Sequence, residues 1–184
     1  MTAAFLIVAY LLIPLWLAAG FADYLCHRFT DIERTAGWKE SVFHLVMFVE
    51  AGVPGLASLV FQANALILLS LLIGFVLHEV TALWDVSFAV KRRYVSPFEQ
   101  MVHSFLELIP LAILLLLAAD NPDQALTLVG AGDAAVDFSL RLRDPQLPAP
   151  YLIALAIAVV VVELLPYTEE LVRGLRARQF KVYK

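Results

Sequence analysis

The sequence predicts an all-α integral membrane protein, a helical bundle of five transmembrane helices. Three observations predict it. Of 184 residues, 61% are hydrophobic and only 16% charged, with a mean hydropathy of +0.81; soluble domains run nearer half apolar and a quarter charged. Five apolar runs approach the twenty or so residues that a helix needs to cross the hydrocarbon core. Most of the connections between them are short, which leaves room for one transmembrane domain and no separate soluble one. This composition excludes a disordered chain, a nucleic-acid-binding arm and an ordinary soluble enzyme. The single cysteine, Cys26, excludes a disulfide framework or a cysteine-rich zinc site within one chain.

The first span is expected from about Ala4 to Phe21. No basic segment precedes it, so it reads as a retained span rather than a cleaved signal. The second, Val42 to Phe61, and the third, Ala65 to Trp84, are joined by a tight turn at 62–64 and form an antiparallel hairpin. The fourth runs from Met101 to Ala119. A connection over 120–149, rich in Gly, Pro and Asp, reads as an ordered cap or a flexible loop. The fifth span runs from Pro150 to Pro166. The tail beyond it reads as an amphipathic helix whose bases rest on anionic headgroups.

Charge sets the expected orientation. Arg28, Arg34 and Lys39 lie in the first connection, Lys91, Arg92 and Arg93 in the third, and five further bases in the tail. The 120–149 connection carries Asp120, Asp123, Asp133, Asp137 and Asp144 against only Arg141 and Arg143. Bases mark the cytoplasmic side, so an N-terminus outside and a C-terminus in the cytoplasm are expected, in the inner (cytoplasmic) membrane. Trp38, Trp84, Tyr94 and Tyr167 fall near that boundary and read as interfacial anchors.

A weak internal repeat is visible. Residues 34–44 align without gaps on 93–103, matching Arg34 with Arg93, Glu40 with Glu99 and His44 with His103. Each segment follows an Asp at a helix end (Asp23, Asp85) and precedes a Glu within an apolar run (Glu50, Glu107). The pattern reads as a duplicated two-helix unit, 1–61 and 65–119, followed by the 120–149 loop and a unit of fifth helix and tail, 150–184. Loops entering membrane helices are often alike, which is the simpler explanation.

The ionisable residues of spans one to four gather at one depth. His27, His44, His78 and His103 all lie toward the cytoplasmic ends. Asp23 and His27 are four residues apart, as are Glu40 and His44, while Glu99, His103 and Glu107 form a ladder of the same spacing. Such pairs share a helix face. Ionisable groups inside a membrane are costly and normally pair, face the bundle interior or serve a function. Helices projecting His, Asp and Glu inward are how bundles build di-iron and di-manganese sites. The candidate metal ligands are His27, His44, His78, His103, Asp23, Glu50, Asp85 and Glu107. Glu40 and Glu99 would orient His44 and His103, and Arg34 and Arg93 could pair with these acids. Both acids also suit the positive end of a helix dipole. Glu163 could complete the network or face the basic tail. Haem held by paired histidines is the rival cofactor, and a metal-ion or proton transporter is the rival from another class.

The stretch Asp23-Tyr-Leu-Cys-His27-Arg28 resembles the first motif of the fatty acid hydroxylase and sterol desaturase superfamily, in which an Asp precedes a His-Arg pair. The HxxHH boxes of that superfamily are absent, so carboxylates would fill the remaining ligand places. That is similar in kind to the alternative-oxidase type of membrane di-iron protein, although the spacing here is ExxxH rather than ExxH. Both resemblances imply two iron ions, or another transition metal, and oxygen-dependent hydroxylation or desaturation of a lipid-soluble substrate at the cytoplasmic face. The expected partners are membrane lipids, an apolar substrate and an external electron-donor protein, because no flavin, nucleotide or iron–sulfur motif is present. No nucleic acid is expected, and the oligomeric state is open.

Overall fold

The structure, a computed structural model, describes the backbone of residues 1–182 and the side chains of residues 1–179. Five helices are long and apolar enough to cross a membrane: α1 (Ala3–Phe29), α2 (Trp38–Val60), α3 (Ala65–Ala89), α4 (Pro97–Asp120) and α6 (Ala149–Gln179). A short helix, α5 (Pro122–Leu128), follows α4. No strand occurs among the described residues. All five spans begin close to where the hydropathy places them. Those that end on the side of the basic loops run on past the apolar window, α1 by two turns and α6 by more than three. In α1 and α3 the reason is physical: Asp23 and Asp85, just past the apolar windows, are buried in the bundle and do not stop the helices.

Local chemistry sets the ends. Asn64 caps α3 by accepting the Ile67 N–H at 3.3 Å. Ser96 opens α4 with a capping box. Its hydroxyl accepts the Glu99 N–H at 3.1 Å, and the Glu99 carboxylate accepts the Ser96 N–H at 3.4 Å. Pro97 occupies the first turn, where no N–H is needed. Gly37, which precedes α2, has φ +77°, a conformation that favours glycine.

The bundle is built from crosswise pairs. α2 packs most extensively on α3, and α1 on α4. Pro54 cannot donate to the Glu50 carbonyl one turn back, and Gly74 of α3 packs against that freed group. A Cβ on Gly74 would lie 2.3 Å from the Glu50 carbonyl oxygen. α6 closes the bundle against α1 and α2. Both α1 and α6 contain a stretch of wider turns, Val8–Leu12 and Val159–Leu164, each ending with an N–H that reaches back five residues. The Tyr151 hydroxyl donates to the Ala9 carbonyl, within the α1 stretch.

The core of the end away from the basic loops is apolar, with Phe5, Val8, Ile13, Leu59, Leu68 and Leu117 buried. The 120–149 connection closes this end as an ordered cap. Arg141 accepts from the Gln62 N–H at 2.9 Å, and the Arg143 N–H donates to Val60 at 2.9 Å. The Arg143 guanidinium lies 3.7 Å over the Phe5 ring. The two basic loops, 30–37 and 90–96, lie together at the other end, called the basic end below.

Two expectations about the basic end are corrected. The stretch after Pro166 does not simply rest on headgroups: Tyr167, Glu170 and Gly174 are buried in the bundle. A Cβ on Gly174 would lie 2.8 Å from the Trp38 nitrogen, so only a glycine lets α6 approach the start of α2 so closely. Tyr167 is therefore no interfacial anchor. Its hydroxyl donates to the Gly20 carbonyl at 2.9 Å and lies 3.4 Å from Asp23. Trp84 and Tyr94 are exposed, as anchors should be. Lys184 lies outside the described residues, as does the side chain of Lys181.

Candidate metal centre

The inward side chains of the basic end form one connected polar cluster. Asp23 and His27 come from the last two turns of α1, and Glu40 and His44 from the first two of α2. Asp85 comes from the end of α3, and Glu99 and His103 from the start of α4. All except His103 are buried, and His103 is nearly so. This brings together eight of the twelve residues singled out in the sequence, counting Arg93 with the seven above.

Glu170, which the sequence reading passed over, organises the cluster. It is fully buried. One carboxylate oxygen accepts from His27 Nδ1 at 3.1 Å and the other from His44 Nδ1 at 3.2 Å. The two imidazoles stack with centroids 4.3 Å apart and planes at 12°. In the neutral form that keeps its proton on Nδ1, toward Glu170, each imidazole has a lone pair on Nε2. Neither Nε2 has a hydrogen-bond partner. Both face carboxylates instead: His27 Nε2 lies 3.4 Å from Asp23 and 3.5 Å from Glu99, and His44 Nε2 lies 3.5 Å from Asp85.

Those separations are long for hydrogen bonds and natural for two ligands of one ion. Donors about 2.0–2.2 Å from a shared cation stand roughly 3–4 Å apart. Asp23, His27, Glu99 and His103 each offer a ligand atom, all within 4.8 Å of one another. His27, Glu40 and His44 meet the same limit. In the first group His103 Nε2 lies 2.9 Å from Asp23, so a bound cation there would replace a shared proton. A carboxylate holding the far nitrogen of a metal-binding imidazole is a recurrent feature of metal sites, and Glu170 stands in that relation to two histidines at once.

Arg93 anchors the acids on the loop side. Its guanidinium lies 2.5 Å from Glu40 and 2.6 Å from Glu99. Burial alone would ease loss of its proton, but the hydrogen bonds it donates to Glu99 and Glu40 outweigh this and hold it charged. Glu40 and Glu99 therefore meet Arg93 rather than hydrogen-bonding His44 and His103, and Glu99 also caps α4 and lies 3.5 Å from His27. Arg34, the repeat counterpart of Arg93, is exposed instead. Even so, five buried carboxylates (Asp23, Glu40, Asp85, Glu99, Glu170) face one buried guanidinium. Further positive charge is needed, from protons on the histidines or from cations.

Three expected ligands lie elsewhere. Glu50, His78 and Glu107 sit one to two turns deeper along their helices, and neither donor group includes them. Glu50 accepts from the Thr81 hydroxyl at 3.1 Å. His78 and Glu107 line a cavity of about 50 Å³ that begins at Asp23, His44, Asp85 and His103 and runs deeper into the bundle. Glu163 lines it too, its carboxyl filling the space where a Cβ on Gly20 would lie, 2.5 Å from Glu163 Oε2.

The cluster follows the repeat. Asp23 of the first unit pairs with His103 of the second, and Asp85 of the second faces His44 of the first. Glu40 and Glu99 meet on one arginine. No protein-family model, curated protein or solved structure matches the chain, so the assignment rests on this geometry.

Proposed function

We propose that the basic-end cluster binds transition-metal ions and that the protein is a membrane-embedded oxidoreductase of the di-metal, iron-dependent kind. One observation carries the metal reading: Glu170 fixes two stacked histidines so that their buried, unpartnered Nε2 atoms face carboxylates at ligand-to-ligand distance. Asp23, His27 and His103, with Glu99, would hold one ion. His44, the other member of the stacked pair, and Asp85, which it faces, would contribute to a second.

When bound, iron supplies electron exchange with dioxygen. The chain's own residues do the rest. Glu170 keeps the imidazoles in the metal-binding tautomer. Arg93 balances the charge of Glu40 and Glu99 and holds both carboxylates in place. The apolar walls of the cavity keep water from the reacting centre. A substrate C–H bond would become C–OH, with one dioxygen, two electrons and two protons consumed and one water released. Desaturation would instead remove two hydrogens and release two waters. The electrons come from a separate donor protein.

Haem has less support. The two stacked histidines are both tied to Glu170, and the adjoining cavity is small for a macrocycle. A proton-handling network, with the histidines charged, is the remaining rival. Iron-loaded protein in proteoliposomes, given a chemical reductant, tests the proposal. Dioxygen uptake should accompany a lipid-extract product carrying one added oxygen or lacking two hydrogens, and Asp23→Asn should abolish both. Uptake without a changed lipid, or activity that survives Asp23→Asn, would overturn it.

A further inference from the structure

The cavity below the cluster is lined by repeat-related positions. A shift of 62 residues carries Gly20 and Asp23 of α1 onto Ala82 and Asp85 of α3. A shift of 59 carries His44 and Met47 of α2 onto His103 and Leu106 of α4. At these four pairs the two halves keep the same kind of side chain. At two deeper pairs they differ. Trp16 corresponds to His78, and Phe48 corresponds to Glu107.

The symmetry is therefore kept beside the candidate metal ligands and broken below them. The first unit supplies an aromatic wall, Trp16 and Phe48, with nearly parallel rings 6.2 Å apart at 8°. The second unit supplies a polar wall, which α6 extends with Glu163. Metal binding alone calls for no such difference between halves.

Some polar atoms of the cavity have no hydrogen-bond partner among the described residues. Glu163 and His78 are 3% and 4% exposed; among the described residues Glu163 Oε1 has no hydrogen-bond partner, and the nearest carboxylate to His78 Nδ1 is that of Glu79 at 3.5 Å, long for a hydrogen bond. Trp16 is similarly buried, and its indole N–H has no acceptor. Unpaired polar groups in a low-dielectric interior are costly. Carboxyl and imidazole groups on one side and an indole N–H on the other suit a group that both donates and accepts. A hydroxyl does this; an ammonium cannot accept, and an ether or ester cannot donate. Glu107 lines the cavity and remains partly exposed, so the cavity reaches the outer surface of α4, where an apolar chain would lie in lipid.

We infer that this cavity binds the hydroxyl head of a lipid-soluble alcohol or phenol, seated between the Trp16–Phe48 wall and the His78–Glu107–Glu163 wall. The inference deepens the oxidoreductase reading, and rests on it for the claim that the bound molecule is a substrate. The hydroxyl places the neighbouring carbons beside Asp23, His44, Asp85 and His103.

Binding of labelled 1-dodecanol, a long-chain 4-alkylphenol and dodecyl methyl ether to the protein in nanodiscs, above the empty-nanodisc background, tests it. At least one hydroxylic probe should bind about fivefold or more tightly than the ether, since the ether leaves buried polar atoms unpaired. Which of the two binds tells alcohol from phenol. His78→Phe and the milder Glu107→Gln should each shrink the preference while leaving metal content unchanged. Equal binding of alcohol, phenol and ether would overturn the inference, as would an unchanged preference in both variants. Selective binding by a protein that takes up no metal would support the cavity assignment and defeat the oxidoreductase reading. Full metal with no selectivity would do the reverse.

Discussion

Glu170 and His27 meet across the bundle, 143 positions apart in sequence, with a carboxylate oxygen 3.1 Å from Nδ1. The other oxygen of the same carboxylate holds His44 at 3.2 Å. A surface helix would have no reason to bury a glutamate so completely. Glu170→Gln keeps the shape but can accept from only one imidazole, and it turns an N–H toward the other. Loss of such an outer carboxylate typically weakens metal binding about 10–100-fold. Competitive titration of the purified variant against a chelator of known affinity should find a loss in that range. An affinity equal to wild type would show that Glu170 serves packing alone.

Arg93 and Arg34 occupy equivalent places in the repeat but differ in surroundings, and their substitution should differ accordingly. Arg93→Ala leaves Glu40 and Glu99 buried without their counter-charge, a change that costs about 3–5 kcal/mol when one partner of a buried ion pair is removed. Arg34 is exposed, and Arg34→Ala should change stability by less than about 0.5 kcal/mol. Thermal or denaturant unfolding in one detergent separates the two. Similar losses in both variants would contradict the assignment of Arg93 as the anchor of the cluster.

Two glycines set helix contacts by having no side chain. Gly74→Ala would place a methyl against the Glu50 backbone, which cannot move aside as a side-chain tip can. A loss of roughly 1–3 kcal/mol is expected, the usual cost of overpacking. Gly174→Val should push α6 from Trp38 and draw Glu170 from the histidines. It should therefore lower metal affinity as well as stability, whereas Gly74→Ala should lower stability with little effect on metal. The same ratio of the two losses in both variants would refute this separation.

The basic loops and the acidic 120–149 connection lie at opposite ends of the bundle, which predicts a defined orientation. A reporter that is active only outside the cytoplasm should be active when fused at the N-terminus or inserted near Asp133. It should be inactive when inserted near Lys91. The reverse pattern would overturn the orientation and move the cluster to the other face of the membrane.

The fold was legible because hydropathy alone marks spans, and each span begins near its expected residue. The cluster was legible through helical spacing: Asp23 with His27, and Glu40 with His44. The helix ends were less so, because an apolar window gives no sign of whether the charges beyond it face lipid or core. That is why the helix beyond Pro166 reads as lying on headgroups rather than packing into the bundle. The missing signal was periodic. Glu163, Tyr167, Glu170 and Gly174 recur at helical spacing and form one stripe, which reads as a buried face once the helix continues. Depth misplaced Glu50, His78 and Glu107. Spacing along one helix gives a face, but not which turn meets the neighbouring helices.

Elemental analysis of the purified protein after metal loading and buffer exchange, wild type beside the His27→Ala/His103→Ala double variant, tests the metal centre most directly. At least one transition-metal ion per wild-type chain is predicted, with the ion held by His27 and His103 lost from the variant, which should keep no more than about half of the wild-type content. A wild-type protein that folds and holds no stoichiometric metal, or a double variant that keeps its full complement, would contradict it.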